Sequence, residues 1–305
     1  MKILIVGGTR FVGKSLLKHL SIRKHDITIF TRGFNPVPDS VKHIKGDRKL
    51  DDCLKLLEGN NFDIIIDSCG RTLEDTKTLI KYSGVPKYRF LYISSAGVYA
   101  DKLIWPLDEE SEVDPQSRHF GKYETERWLA EAKIPFTSFR PTYIYGPGNY
   151  NSIEKWFFDR LLHDRPIPIP HNGDFITQLG HVNDLAEAMV KSLDRQLANN
   201  KIYNCSHSKG ITFKGLAYVA AKVCKKEPSE VKFISYVPEH LNKKSRKIFP
   251  LRTHHFLTDI SLIKKDLDWS PKYDLYQGLK DSYENDYMKD NIAPDFSLDN
   301  SLFDS

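Results

Sequence analysis

Short apolar runs alternate with stretches of helical period through the first half of the chain. KILIV (2–6), ITIF (27–30), DIIID (63–67), RFLYIS (89–94) and PFTSFR (135–140) are nearly continuous in apolar residues and too short for helices, which predicts strands buried on both faces. Between them, 11–20, 50–57 and 73–82 carry apolar residues at helical spacing, and a further helix is expected over about 118–132. Such alternation builds a parallel sheet with helices on both faces. The fold class expected is therefore α/β, a Rossmann-type doubly wound sheet. After Tyr145-Gly146-Pro147-Gly148 the pattern changes, and prolines at 166, 168 and 170 interrupt it. A smaller mixed α/β region is expected over 151–176 and 206–291, with a return segment of about 177–205, including the helical HVNDLAEAMVKSL (181–193), rejoining the 1–150 domain. Residues 292–305 are polar and acidic without period, the pattern of a frayed tail.

Composition narrows the class. With 305 residues, 40% hydrophobic and 28% charged, the chain is neither disordered, collagen-like nor a disulfide-stapled miniature. Cysteines at 53, 69, 205 and 224 have no CxxC spacing, which fits a reducing compartment and inert thiols. No run approaches membrane-spanning length, so a cytoplasmic protein with no membrane partner is expected. Charge is patchy: residues 1–50 carry a net +8, 51–150 a net −4, 151–250 a net +6 and 251–305 a net −5. The basic first quarter and the cluster Lys243, Lys244, Arg246 and Lys247 have the character of a phosphate-backbone surface, although solvated lysine clusters look the same.

The segment KILIVGGTRFVGKSLLKHL sets glycines between a buried strand and an amphipathic helix, whose N-terminal N–H groups and dipole suit a phosphate. Gly7, Gly8, Thr9, Arg10, Phe11 and Gly13 form the candidate loop. Gly7 serves the turn and Gly13 the close packing of helix on strand, while Arg10 stands where a dinucleotide fingerprint has its middle glycine. A turn that binds nothing, and a P-loop read as Gly8–Gly13 with Lys14 and Ser15, are the competing readings. A NAD site wants a carboxylate about 20 residues on. Here ITIF ends in Thr31-Arg32-Gly33, so Arg32 with Arg10 favours the 2′-phosphate of NADP over NAD. Asp47 and Arg48 are placed to edge the adenine. Two arginines beside a phosphate loop equally suit an RNA backbone.

SSAGVY, with Ser95, ends a strand, and RHFGKYETE follows. With the glycine loop, RPTYIYGPGN and HVNDLA, these strings resemble the extended short-chain dehydrogenase/reductase superfamily, the NAD-dependent epimerases and dehydratases of nucleotide sugars. That resemblance implies a Ser or Thr at Ser95 and a YxxxK pair on the next helix, in which the lysine lowers the phenol's pKa for proton transfer. Lys122 matches the lysine. Four residues back stands Arg118, which at neutral pH cannot exchange a proton. His119 titrates but points about 100° away on an ideal helix, and Tyr99 and Tyr123 lack the spacing. What remains is a candidate catalytic set of Ser95, Arg118, His119 and Lys122 that grips anions better than it oxidises alcohols. Pairing of Arg118 with Glu112 or Asp114 is the plain alternative.

A narrower resemblance rests on GGTRFVG, FTRG, KGDRK, VDPQSRHFGK, EKWFFDRL, RPIPIP, QLGHVNDLA, FPLRTHHF and LDWSPKYDL. Over essentially the whole chain these are similar to the chloroplast stem-loop-binding proteins and their cyanobacterial relatives. That family implies RNA as partner, as stem-loop mRNA or rRNA and through association with the ribosome, together with an endoribonuclease activity assisted by a divalent ion such as Mg2+. With no transit peptide before Met1, a cyanobacterial member is expected, and the wider superfamily implies a homo-oligomer. Arg252 stands where sugar-nucleotide enzymes hold a diphosphate, and Tyr145, Tyr143, Tyr150 and WFF (156–158) are candidates for substrate contact or base stacking, against the commoner core role of such aromatics. Adjacent His254 and His255 face differently, and Asp47, Asp67 and Glu124 are not spaced as ligands, so no metal site is expected. The function expected is RNA binding on an epimerase-like scaffold; the alternative is an NADP-dependent nucleotide-sugar epimerase or dehydratase.

Overall fold

The structure, a computed structural model, describes residues 1–302 except 152, 243, 244 and 291. Lys243 and Lys244 of the basic cluster thus lie outside the described residues. The chain divides into two compact units.

The first unit comprises Met1–Thr142, Val182–Ser206 and Thr258–Ser270. Its strands are β1 (Lys2–Val6), β2 (Asp26–Thr31), β3 (Lys42–Lys45), β4 (Ile64–Asp67), β5 (Arg89–Ile93), β6 (Phe136–Pro141) and the strand Lys201–Cys205. They form one sheet in the order Lys201–Cys205, β6, β5, β4, β1, β2, β3. All neighbours run parallel, with Ile5 opposite Ile29 on one side and Ile66 on the other. The central strands are apolar throughout because helices cover both faces: Ile3, Leu4, Ile5, Ile65, Ile66, Phe90 and Leu91 are fully buried. The helices are α1 (Phe11–Leu20), the single turn α2 (Asp51–Leu54), α3 (Leu73–Ser83) and α4 (Phe120–Glu131). Thr72 and Asp75 close a reciprocal cap on α3. The helix Val182–Ser192 docks beside α1, where the Ser15 hydroxyl donates to Asn183 Oδ1 at 2.7 Å.

The chain reverses its winding between β1 and β4, so the crevice at their carboxyl ends is where a doubly wound sheet receives ligands. The expected doubly wound sheet forms, with two strands that the apolar pattern did not mark. β3 is an edge strand of sequence KHIK, half exposed, and Lys201–Cys205 lies in the return segment. Helix α4 also starts later than expected, at Phe120 with His119 as its N-cap, so Arg118 is outside the helix.

The second unit comprises Tyr143–His181, His207–Leu257 and Pro271–Ser305. Three two-stranded pairings frame it: Tyr143–Tyr145 with Leu179–His181, Ile167–Pro170 with Phe233–Tyr236, and Ile176–Thr177 with Ile211–Thr212. The helices Ile153–Leu162, Phe213–Val223 and Leu275–Asn285 enclose a core around Phe157, Phe158, Phe213 and Phe249. The acidic C-terminal stretch is not wholly frayed: Ser297–Leu302 form 3-10 turns and Asp299 pairs with the buried Arg160 at 2.6 Å.

Candidate anion site at the glycine loop

Gly7 and Gly8 adopt φ of 95° and 98°, which L side chains rarely tolerate. The Gly7 N–H donates to Phe30 O at 3.1 Å, and a Cβ on Gly13 would lie 2.1 Å from Gly8 Cα. Gly13 therefore lets α1 seat its first turn on the loop. Arg10 is the N-cap, extended and exposed, and its side chain makes no capping hydrogen bond. Phe11 follows with φ of 37° and a buried ring, an uncommon backbone for an aromatic residue, and Thr9 is buried beside it. The first turn of α1 holds no acidic residue, so its N–H groups and dipole present positive potential to the crevice.

At the end of β2, Arg32 is exposed and lies over the Phe34 ring at 4.9 Å. No carboxylate occupies 31–33, as read from the sequence. The Asp47 carboxylate accepts from Lys49 N at 2.9 Å. Arg48, expected to edge the adenine, is engaged within the protein at the end of β4. Its guanidinium grips Asp67 with both nitrogens, at 2.7 and 3.0 Å, and donates to Cys69 Sγ at 3.2 Å. Asp67, fully buried at the end of β4, also accepts from the N–H groups of Cys69 and Gly70. Those partners outweigh burial and hold its carboxyl below the usual carboxylate range. The apolar strand DIIID marked this position, but nothing in the sequence paired it with Arg48.

Ser95 follows β5 and accepts from Gly97 N at 3.0 Å. The His119 ring leans over the same glycine. A Cβ there would lie 2.5 Å from His119 Cδ2 and 3.0 Å from both His119 Nε2 and Ser95 Oγ. Gly97, which sequence reading passed over, is thus what lets imidazole and hydroxyl converge. Lys122 lies in the first turn of α4, with Nζ donating to Ile93 O at 2.5 Å. Burial draws its ammonium down to about 8, against the opposing pull of Asp67. Arg118 is exposed and donates from Nε to His119 Nε2 at 3.1 Å. It does not share a helix face with Lys122, so the spacing of four places no pair here. Nor does it pair with Glu112, which meets Lys102 at 2.6 Å, or with Asp114, which caps Gln116 N.

The tyrosines do not fill the gap. Tyr99 OH donates to Asn204 Oδ1 at 2.7 Å and accepts from Arg140, within a buried network closed by Glu126. Tyr92 OH donates to Gly70 O, and the Tyr123 ring packs on Phe120. The P-loop reading gains no support, since Ser15 is bonded to Asn183 and Asp67 is paired with Arg48. In the second unit, Tyr145 is a core residue, edge-on to His181, rather than a substrate contact. Phe157 and Phe158 are likewise core, while Tyr150 is exposed. Arg252 lies over Phe256, and His255 accepts from Ile176 N.

Residues 3–206 match the family described as NAD dependent epimerase/dehydratase. The chain belongs to that family. The chain is 41% identical, over 99% of its length and 84% of the relative's, to the chloroplast stem-loop binding protein of 41 kDa b of Arabidopsis thaliana. It is 24% identical to the UDP-glucose 4-epimerase of Vibrio cholerae, covering 91% of this chain and 93% of that one. Among solved structures of the same fold, the UDP-glucose 4-epimerase of Thermotoga maritima superposes with a TM-score of 0.78 at 17% identity, covering 93% and 98% of the two chains. The UDP-glucuronic acid 4-epimerase of Bacillus cereus, in complex with NAD, gives 0.75 at 18%, with 93% and 98% covered. Among the described residues, no helix is long and apolar enough to cross a membrane.

Proposed function

We propose that this chain is an RNA-binding protein on an epimerase scaffold, with RNA phosphates received at the glycine loop and the neighbouring strand ends. One observation carries the reading: where the resemblance expects a proton-shuttling phenol four residues before Lys122 the chain has Arg118, exposed and outside α4, while Tyr92 and Tyr99 are committed to buried bonds. Arg10, Arg32 and Arg118 stand exposed around the crevice, and the exposed Phe34 under Arg32 offers a face for an unpaired base. The name of the Arabidopsis relative supports the same direction. The reading is one of binding first, with stem-loop cleavage a separate activity to be assayed. Titrating stem-loop RNA over a salt series should show affinity falling steeply as salt rises. Absence of binding at low salt overturns the reading.

A second reading is favoured by the loop itself. The positive-φ turn at Gly7 and Gly8 and the close seat of Gly13 on Gly8 bring the first turn of α1 to the strand ends, Arg32 suits the 2′-phosphate of NADP, and Ser95 and Lys122 lie at the end of β5. A bound dinucleotide supplies hydride transfer. Here His119 is the titratable group beside Ser95, and it is the residue to hold or move a proton in a nucleotide-sugar epimerase. Turnover of a UDP-sugar, abolished by His119→Ala, separates this reading from the first.

A further inference from the structure

We propose that the outward face of α1 is the track on which an RNA phosphate backbone lies; this rests on the RNA-binding reading and names its surface. The first 25 residues contain six lysines and arginines and no aspartate or glutamate. Folding sorts them. Helix α1 buries Phe11, Ser15, Leu16, Leu17 and Leu20, while Lys14 and Lys18, four residues apart, stand exposed on its opposite face. Exposed Arg10 begins the row at the N-cap, and exposed Lys24 follows the helix. At 1.5 Å of rise per residue the row from Arg10 to Lys18 runs about 12 Å, with successive charges about 6 Å apart.

Some surface cations are compensated by carboxylates, as Lys55 is by Asp52, Lys102 by Glu112, Lys226 by Asp164 and Arg23 by Asp194. Among the described residues, Lys14 and Lys18 form no ion pair. Their charge faces solvent without an opposing carboxylate, which attracts a polyanion and releases its counterions on contact. A dinucleotide at the loop does not account for them, because its pyrophosphate sits at the helix N-terminus and Lys18 lies two turns along the outer face. A lipid surface is the poorer partner, since the large apolar residues within α1 are buried and the exposed Ile22 beyond its end is a single side chain rather than an apolar face.

The test uses the full chain, a stem-loop RNA and a salt series. The double variant Lys14→Ala/Lys18→Ala should bind about tenfold more weakly at low salt, with the log–log salt slope reduced by about 1 to 2. Lys14→Arg/Lys18→Arg should restore both, and Lys55→Ala/Lys102→Ala, with the same loss of charge, should leave both unchanged. If the parent binds RNA and the alanine pair keeps its affinity and slope, the track is wrong while the RNA reading stands. If the parent fails to bind, both fall. If the alanine pair loses binding to phosphatidylserine vesicles and keeps its RNA binding, the face serves a membrane and the proposal is overturned.

Discussion

Arg48 and Asp67 illustrate how one buried pair decides what a crevice presents. Removing the arginine alone leaves a carboxylate fully buried with only backbone donors. Arg48→Met should therefore lower stability by about 3–5 kcal/mol in urea melts, and Arg48→Met/Asp67→Leu should recover most of that loss. Equal destabilisation in both would mean that the pair does not act through charge. Lys122 works in the opposite sense. Its folded-state value of about 8 lies below the ordinary 10.5, so the unfolded chain holds the extra proton between the two. Stability gained from this group rises with pH across that window, and the penalty is complete below it. Lys122→Met should thus be more stable than the parent by about 1–2 kcal/mol at neutral pH, after the lost bond to Ile93 O, with the advantage shrinking in alkaline urea melts. Arg118→Tyr restores the YxxxK string without restoring its geometry, because position 118 precedes α4. It should give no gain in UDP-sugar turnover; a gain would show that the turn ahead of α4 rearranges to present the phenol.

At the scale of elements, the loop 146–149 depends on one carboxyl group. The N–H of Gly146 donates to Glu154 Oε1 at 2.9 Å, Asn149 Nδ2 to Oε2 at 3.0 Å, and Ser282 Oγ to Oε1 at 3.4 Å. Burial nevertheless pushes Glu154 up to about 7 from 4.5, so the folded state keeps a proton that the unfolded chain releases. Stability from this group is full below the lower value and falls as pH rises through the window, by an amount on the order of 3 kcal/mol. Glu154→Gln should flatten that dependence and melt above the parent in mildly alkaline buffer, as checked by thermal denaturation. What the sequence made legible follows the same logic. The central strands declared themselves because parallel strands covered on both faces must be apolar, and α1 because one face must be. β3 did not, because an edge strand needs no apolar run, and the start of α4 did not, because His119 caps it without a side-chain hydrogen bond. The glycine loop was readable from the spacing of its glycines between an apolar strand and an amphipathic helix. The bond between Arg48 and Asp67 was not, since it joins residues brought together only by the order of the strands.

For the molecule as a whole, two units are built on different sequence logic: an alternation that advertises its sheet, and a proline-interrupted stretch whose core is held by aromatic rings. Helix α1 belongs to the first and is fastened through the N-terminal half of its inner face. Gly13 is wedged against the loop, and Ser15 is tied to Asn183 on the helix Val182–Ser192. An element clamped in this way has little conformational freedom left to lose. A ligand arriving on its outer side meets a stiff surface, so association should proceed as rigid-body docking with a small heat-capacity change, which calorimetry of stem-loop RNA binding would register. A large negative value would instead report a segment that becomes ordered only when the complex forms.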